Sequence, residues 1–269
     1  MNNRDVVIRN SKAWDLEAEK GHWATKPITK EHFLHLKKEG FPISLTGKRP
    51  IPDAWLGDLT GKKVLCIACG GGQQSVLLAA KGAHVTSIEN SPEQLNRDIV
   101  TSASFGLEIE GILGSMDDPR VYPNKKFDLV ILGMGSQFVL SLDTVFPTAF
   151  DRLSDNGCFI GSFVNPICYI FDWESYELGQ FVVRHKIPYS DLESITETER
   201  LKIIGVSSPL EFGHSLEHIF CGLNKCGGAI VGYIEEFDTD DKMGEYFPSF
   251  FSILAVPYSQ HPRFNCATD

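Results

Sequence analysis

The sequence has little that would direct it to a membrane or to nucleic acid. No apolar stretch among its 269 residues approaches the roughly 20 residues that span a bilayer. Its first five residues lack the apolar core of a signal peptide. No run of lysine and arginine stands out, and the formal net charge is −10, whereas proteins that bind nucleic-acid backbones present a basic face. We therefore expect a cytoplasmic protein that binds neither membrane nor nucleic acid.

The cysteines are scattered and are not spaced as a disulfide framework. The chain has seven cysteines, an odd number, which suits a reducing compartment. Cys66 and Cys69 form a C-x-x-C pair, but Cys66 lies inside an apolar run and not at a helix start, where redox cysteines lie. Cys221 and Cys226 are too widely spaced to complete a zinc site. We interpret Cys66 as a small core residue and expect no metal, with a redox or zinc role as the alternative.

What the sequence does contain is an abrupt change from an apolar run to three consecutive glycines. Residues 64–68 are typical of a buried strand, Cys69 and the glycines 70–72 follow, and residues 73–81 are typical of a helix. Glu89 comes about twenty residues further on, at the distance expected of an acid that accepts ribose hydroxyls. Glycines let backbone approach a ligand, and a helix start offers free N–H groups. The pattern predicts a nucleotide-type ligand over the end of a parallel strand.

The rest of the first two thirds of the chain alternates strand and helix. Strands are predicted at 64–68, 84–88, 107–112, 127–132 and 158–164, and helices at 73–81, 92–104 and 142–153. Ser91 is a predicted N-cap, and Asp155-Asn156-Gly157 is a predicted stop and turn. Such alternation implies right-handed crossovers, and therefore an α/β fold with a doubly wound parallel sheet.

Two segments lie outside this alternation. Residues 1–60 form a predicted helical cover, with helices at 10–20 and 29–38, and residues 61–269 form the predicted core. Residues of about 165–210 interrupt the core with prolines, aromatics and an acidic stretch. An insertion after a strand's carboxyl end predicts a substrate cap, and a peripheral decoration or subunit contact is the alternative. A helix at 210–224 and two strands at 229–237 and 252–257 follow, the strands as an antiparallel hairpin.

These residues resemble the class I S-adenosylmethionine (SAM)-dependent methyltransferases, from residue 62 to about residue 164. Residues 63–72 are similar to the family's glycine motif, and Glu89 falls on the acid that binds the SAM ribose. Residues 114–117 resemble the loop that flanks the adenine. The resemblance implies a Rossmann-like, mostly parallel seven-stranded sheet with a reversed final strand. It also implies SAM as cofactor.

The resemblance carries a set of cofactor-binding residues onto this chain. They are Ala68, Cys69, Gly70, Gly72, Gln73, Glu89, Asn90, Ser115, Met116 and Gly133. Three positions depart from the family pattern, which has an acid at Cys66, a glycine at Ala68 and an acid at Ser115. The Ser115 hydroxyl can still hydrogen-bond the adenine amine, and Gln73 or Gln74 can replace a lost polar contact. A subset of the family carries a comparable Ala-Cys-Gly-Gly-Gly-Gln form.

The methyl acceptor is less well defined by the sequence. The sulfonium methyl is already activated, so positioning the acceptor supplies most of the acceleration, although a base helps when a proton must leave. Residues 133–137 lack the Asn/Asp-Pro-Pro-aromatic signature of amino-group methylation in nucleic acids or proteins. A small-molecule acceptor is therefore expected. The chain would act as a monomer or a homodimer.

Three further residues are candidates for the acceptor side. His214 is a candidate general base, because it follows the predicted cap. With His218 it also forms an H-x-x-E-H pattern, for which a surface helix or a zinc site are the alternatives. Trp14 and Trp23 are candidates for an aromatic wall of the substrate site, or they dock the cover onto the core.

Two other functions remain open from the sequence. An NAD(P)-dependent oxidoreductase is one, because Ser75 stands at the third glycine of a dinucleotide fingerprint and a small residue is tolerable there. The predicted late strand hairpin disfavours it. A non-catalytic module that keeps the SAM fold is the other, suggested by the missing acids at Cys66 and Ser115.

Overall fold

A seven-stranded sheet forms the centre of the computed structural model, which describes residues 1–47 and 49–260. The strands of the chain, in order, are β1 Lys63–Ile67, β2 His84–Glu89, β3 Ile109–Leu113, β4 Phe127–Leu132, β5 Leu153–Val164, β6 Tyr189–Ser190, β7 Phe212–Gly213, β8 Gly228–Glu236 and β9 Phe250–Pro257. The large sheet has the order β3-β2-β1-β4-β5-β9-β8, and only the contacts of β9 are antiparallel. The predicted mostly parallel, doubly wound sheet with a late hairpin is confirmed.

Helices cover both faces of this sheet. The α-helices of the described chain are α1 Asn3–Lys20, α2 Lys30–Glu39, α3 Asp53–Leu56, α4 Gln74–Ala80, α5 Pro92–Ser104, α6 Val145–Asp151, α7 Trp173–Glu177, α8 Glu197–Ile203 and α9 Leu216–Lys225. Because its strands are buried on both sides, the sheet centre has continuous Val, Ile and Leu runs. No helix in the described part of the chain combines the length and apolarity needed to cross a membrane.

The two faces of β1 contribute to two separate cores. Leu65 and Ile67 pack in a cluster with side chains of α6 and α9. Val64 and Cys66 pack on the opposite face, in a cluster with side chains of α2, α3 and α4. The structure therefore places Cys66 fully buried on a core face, as the sequence interpretation has it.

Several predicted boundaries of helices and strands were wrong. The first helix begins at Asn3 and not at residue 10, because Asn2 and Asp5 form a capping box. The helix predicted at 142–153 covers only Val145–Asp151. The predicted turn at 155–157 lies inside β5, because Leu153 already pairs with Phe127 before the ladder shifts register.

The helix predicted at 210–224 also begins later, with Ser215 as N-cap of α9. The preceding residues Phe212 and Gly213 pair with β6 as a small two-stranded sheet. The segment that follows β5 therefore ends with this small sheet at residue 213, slightly beyond the predicted end of the cap at about residue 210. Residues 166–213 are called the cap segment below. The division into cover, core and cap stays a prediction. Residues 261–269 of the predicted core lie outside the described residues.

Asn10 ties α1 to two distant parts of the chain. Its side-chain nitrogen donates to the carbonyls of Phe138 at 2.9 Å and Leu210 at 3.0 Å, and its oxygen accepts from the Leu210 N–H at 2.8 Å. Asn10 is only 2% exposed, so these bonds are shielded from water. One amide thus joins the first helix, the loop after β4 and the end of the cap segment.

We expect Asn10→Ala to destabilise the protein strongly, because three buried backbone groups lose their partner. The free energy of unfolding should fall on the order of 3 kcal/mol, measured by urea denaturation. Asn124→Ala is the matched control, since Asn124 is exposed and makes one long contact with Arg152. Equal stability of the two variants would contradict the role given to Asn10.

Candidate active site

A cavity of about 700 Å³ lies over the carboxyl ends of the parallel strands. Its floor comes from the segments that follow β1, β2, β3 and β4. Its walls come from α1, from the single turn Trp23–Thr25, and from the segment between β5 and β7. This is the edge at which open α/β sheets bind their ligands.

The turn after β1 brings backbone into the cavity. Ala68 has a φ of +50°, a left-handed conformation that favours glycine, which is the residue that the resemblance implies at this position. Gly72 has a φ of +79°. The neighbouring loop after β4 has glycine at 135, where a Cβ would lie 2.4 Å from the Ala68 Cβ. The two loops therefore approach each other as closely as their side chains permit.

Asp98, which was not predicted from the sequence, hydrogen-bonds the backbone of this turn. The carboxylate is fully buried on α5 and accepts the Gly72 N–H at 2.7 Å and the Ser87 hydroxyl at 2.9 Å. Burial raises the pKa of Asp98 to about 6. The pKa of the Cys66 thiol is raised by its hydrogen bond with Cys69, by burial and by the charge of Asp98. An acid thus acts electrostatically on Cys66, and it comes from α5, the helix that follows β2.

One signal in the sequence could have identified Asp98. It follows Leu95 by three residues and precedes Ser102 by four, so it lies on the core-facing side of α5. A carboxylate at a core position of an amphipathic helix requires buried hydrogen-bond donors, and such donors were available in the glycine turn.

Glu89 ends β2 and borders the cavity. Its Oε1 accepts the N–H groups of Asn90 at 2.9 Å and Ser91 at 3.2 Å. A Cβ on Gly70 would lie 2.7 Å from Oε2, so the glycine lets the turn approach the acid. Burial raises the pKa of Glu89 to about 7, an effect that these backbone N–H groups oppose.

The structure brings nine of the ten predicted cofactor residues to the cavity. These are Ala68, Cys69, Gly70, Gln73, Glu89, Asn90, Ser115, Met116 and Gly133. Gly72 is not among the lining residues, because it faces α5, where a Cβ would lie 2.7 Å from the Thr101 hydroxyl. The Ser115 hydroxyl donates to Asp117, which leaves the serine oxygen as an acceptor.

Gln73 and Gln74 line the cavity but use their amide nitrogens to hold the preceding segment. Gln73 donates to the carbonyls of Trp23 at 3.1 Å and Lys26 at 2.7 Å. Gln74 donates to the carbonyl of Ser44 at 3.1 Å. The glycine turn therefore supports the cover that lies above it.

His214 does not reach the cavity. It is 7% exposed, and its Nε2 lies 2.9 Å from the Ser136 carbonyl oxygen. Burial lowers its pKa. The residue precedes α9, so the predicted pairing with His218 on one helix was wrong, although the rings lie 5.3 Å apart. The contact with Ser136 indicates that His214 supports the loop after β4.

Both predicted tryptophans line the cavity. Trp14 packs edge to face on Phe138, with ring centroids 5.1 Å apart, so it forms part of a fixed wall. Trp23 is more than half exposed and lies over Gly47, where a Cβ would contact its ring at 2.9 Å. Each tryptophan therefore both borders the cavity and docks the N-terminal segment.

The far end of the cavity carries a polar cluster that the sequence analysis did not identify. The Tyr169 hydroxyl donates to Glu211 at 2.7 Å, and the Tyr189 hydroxyl donates to Asp191 at 2.8 Å. The two tyrosine rings are stacked 5.3 Å apart. The aromatic and acidic character of this segment is evident in the sequence, but the pairing of residues up to 42 positions apart is not.

Comparison with known proteins is consistent with this geometry. The family described as "Methyltransferase domain" matches residues 64–157. The chain is 38% identical over 231 residues to the uncharacterized methyltransferase YbaJ of Bacillus subtilis, covering 86% of this chain and 91% of that protein.

Two solved structures share the fold at low sequence identity. A SAM-dependent methyltransferase of Mesorhizobium loti superposes with a TM-score of 0.57 at 19% identity, covering 75% of this chain and 94% of that one. Magnesium protoporphyrin IX methyltransferase of Synechocystis PCC 6803, with bound SAH, gives a TM-score of 0.60 at 14% identity, covering 95% and 100%.

The buried Glu89 carboxyl is expected to make the protein less stable as the pH rises. Its pKa is 4.5 unfolded and about 7 folded, so between these values the unfolded chain releases a proton that the folded protein retains. Glu89→Gln should remove this loss and raise the free energy of unfolding at pH 8 on the order of 2 kcal/mol. Urea denaturation from pH 5 to pH 8 tests this, with the exposed Glu108→Gln as control. A variant no more stable than the parent at pH 8 would refute it.

Proposed function

The chain belongs to the class I SAM-dependent methyltransferases, and we propose that its acceptor is a small molecule held in the cavity beside the cofactor. The observation that carries the proposal is the continuity of this cavity. It runs from Glu89 and the glycine turn, past the loop after β4, to the cluster around Tyr169. One end therefore suits the cofactor, and the other provides room for an acceptor.

The cofactor end offers a match for each part of SAM. The Glu89 carboxylate would accept the ribose hydroxyls, as the acid at this position does in the family. The Ser115 oxygen, whose hydroxyl donates a hydrogen bond to Asp117, would accept a hydrogen bond from the adenine amine. Met116, which is 8% exposed, would provide apolar contact for the adenine ring. The residues present thus fit the cofactor, despite the serine in place of an acid.

When bound, SAM supplies an activated methyl group. The protein's part is to bind, to orient and to exclude water. Trp14 and Phe138 form a wall fixed by ring packing, and Asn10 fastens that wall to the end of the cap segment. The walls from α1 and from residues 166–213 favour an acceptor small enough to be enclosed.

The other functions considered have less support. An NAD(P)-dependent oxidoreductase is not favoured by a close relative described as a methyltransferase. A non-catalytic binding module would leave the polar cluster at the far end of the cavity without a purpose. We further propose that the protein is cytoplasmic and acts as a monomer or a homodimer, in keeping with its cysteine content and charge.

Titration calorimetry with SAM, its demethylated product SAH and NAD tests the cofactor assignment. We expect SAM and SAH to bind and NAD not to bind. Glu89→Ala should weaken SAM binding about tenfold or more, because a charged acceptor of two hydroxyls is lost. The exposed Glu108→Ala serves as control. Binding of NAD without SAM would refute the assignment, and binding of SAM without turnover on any small acceptor would favour a non-catalytic module.

Asp98 provides a second test, because it shapes the turn without lining the cavity. Asp98→Ala should lower SAM affinity about tenfold, since the Gly72 N–H and the Ser87 hydroxyl lose their acceptor. Asp98→Asn is the matched control and should retain most of the affinity, because its carbonyl oxygen can still accept the Gly72 N–H. Calorimetry is paired with urea denaturation. Lower stability of Asp98→Ala with unchanged SAM affinity would show that Asp98 does not position the turn for the cofactor.

A further inference from the structure

We propose that the methyl acceptor carries a basic nitrogen, which binds beside the Glu211 carboxylate. Glu211 lies at the end of the cavity that the cap segment lines, which is called the cap end here. This inference rests on the proposed function and specifies its substrate class. It is carried by three observations about this end of the cavity: how the carboxylates are hydrogen-bonded, how charge is balanced, and which buried polar atoms lack a partner.

The hydrogen bonds leave Glu211 only partly satisfied. Asp191 uses both oxygens, accepting the Tyr189 hydroxyl at 2.8 Å and the Glu211 N–H at 2.7 Å. Glu211 accepts the Tyr169 hydroxyl through Oε2 at 2.7 Å. Within the described residues, no donor contacts its Oε1, and Glu211 lines the cavity. One carboxylate oxygen is thus available to a ligand.

Asp191 and Glu211 also differ in the charged side chains around them. The charges of Arg9 and Arg200 favour the ionised form of Asp191, whereas no basic side chain in the described residues does so for Glu211. Burial and the charge of Asp191 instead raise the pKa of Glu211 to about 7. A cation bound beside Glu211 would supply the missing counter-charge.

The cavity as a whole is acidic. Its described lining includes the carboxylates of Glu89, Asp191, Glu211, Asp238 and Asp241, together with that of Glu17, which is paired with Lys20. Arg184 also lines it, but its guanidinium is paired with Asp172 and Glu199. Such a lining attracts a protonated amine and repels a carboxylate or phosphate acceptor.

Two buried polar atoms in the lining also lack partners among the described residues. Gln137 is 7% exposed and its Oε1 has no donor, while Ser249 is 5% exposed and its hydroxyl has no partner. Ser249 adjoins the cap end, because its carbonyl lies 3.7 Å from the Cys168 sulfur. Either side chain would gain a partner by turning toward a ligand nitrogen that carries several N–H groups.

Nearby aromatic side chains provide the rest of the binding surface. Tyr169 and Tyr189 are stacked, and their hydroxyls are both used as donors to carboxylates. Electron-rich ring faces next to unbalanced negative charge are a favourable setting for an organic cation. The expected acceptor is therefore an amine attached to an apolar or aromatic body.

Methyl transfer to such a nitrogen balances with the groups at hand. A bond forms between the nitrogen and the methyl carbon as the bond from that carbon to sulfur breaks, and the sulfonium becomes the neutral thioether of SAH. The protonated amine has no free electron pair, so it gives one proton to the Glu211 carboxylate before the nitrogen attacks. The methylated nitrogen then carries the positive charge that sulfur loses, and Glu211 later releases its proton to solvent.

The test uses three probes of matched shape: 2-phenylethylamine, 2-phenylethanol and phenylacetate. Their affinities for the full-length protein saturated with SAH are measured by ligand-observed NMR. We expect the amine to bind about tenfold more tightly than the alcohol, because it makes a charge-assisted hydrogen bond, and phenylacetate to bind most weakly. With SAM in place of SAH, mass spectrometry should find the methyl group on nitrogen.

Glu211→Gln should abolish the preference for the amine while leaving SAH affinity unchanged, which also shows that the variant is folded. Glu193→Gln is the matched control, because Glu193 is an exposed carboxylate of the cap segment and should leave the preference intact. Equal binding of amine and alcohol, or an unchanged preference in Glu211→Gln, overturns the inference. If SAH still binds in that case, the proposed function stands. Failure of both SAM and SAH to bind overturns the proposed function and the inference with it.

Discussion

The turn between β1 and α4 keeps its shape because Asp98, which does not line the cavity, accepts the Gly72 N–H. The rest of the site depends on this hydrogen bond. The turn places Gly70 against Glu89, and it carries Gln73 and Gln74, whose amides hold the N-terminal segment over the cavity. Burial of a polar group costs free energy unless the group is hydrogen-bonded. The carboxylate and the turn therefore hold each other in place.

Those parts of the fold that depend on local pattern could be predicted from the sequence. The apolar run of β1, the glycines after it and the position of Glu89 follow from periodicity and spacing within about thirty residues. The parallel sheet follows from the alternation of strands and helices. Element ends were less predictable, as at β5, where pairing with β4 extends the strand through a segment with turn-like composition.

The contacts that complete the site join residues far apart in the chain, and no local pattern encodes them. Asn10 lies 200 residues from Leu210, and His214 lies 78 residues from Ser136. The spacing of His214 and His218 predicted a shared helix, but strand pairing by Phe212 and Gly213 takes precedence and leaves His214 outside it. Asp98 and Glu211 were missed for the same reason, since each owes its role to partners brought together only by the fold.

The left-handed conformation of Ala68 has a consequence for how this site can change over evolutionary time. The Ala68 methyl group occupies the space that a Cβ at position 135 would need, and the end of the Met116 side chain borders the same space. The space between positions 68 and 135 therefore holds one Cβ atom and not two. A glycine at 68 would make room for an alanine at 135, whereas either position enlarged alone would force the two loops apart. Sequence drift at these two positions is thus coupled and should proceed by exchange of a single methyl group between loops that are more than sixty residues apart in the chain.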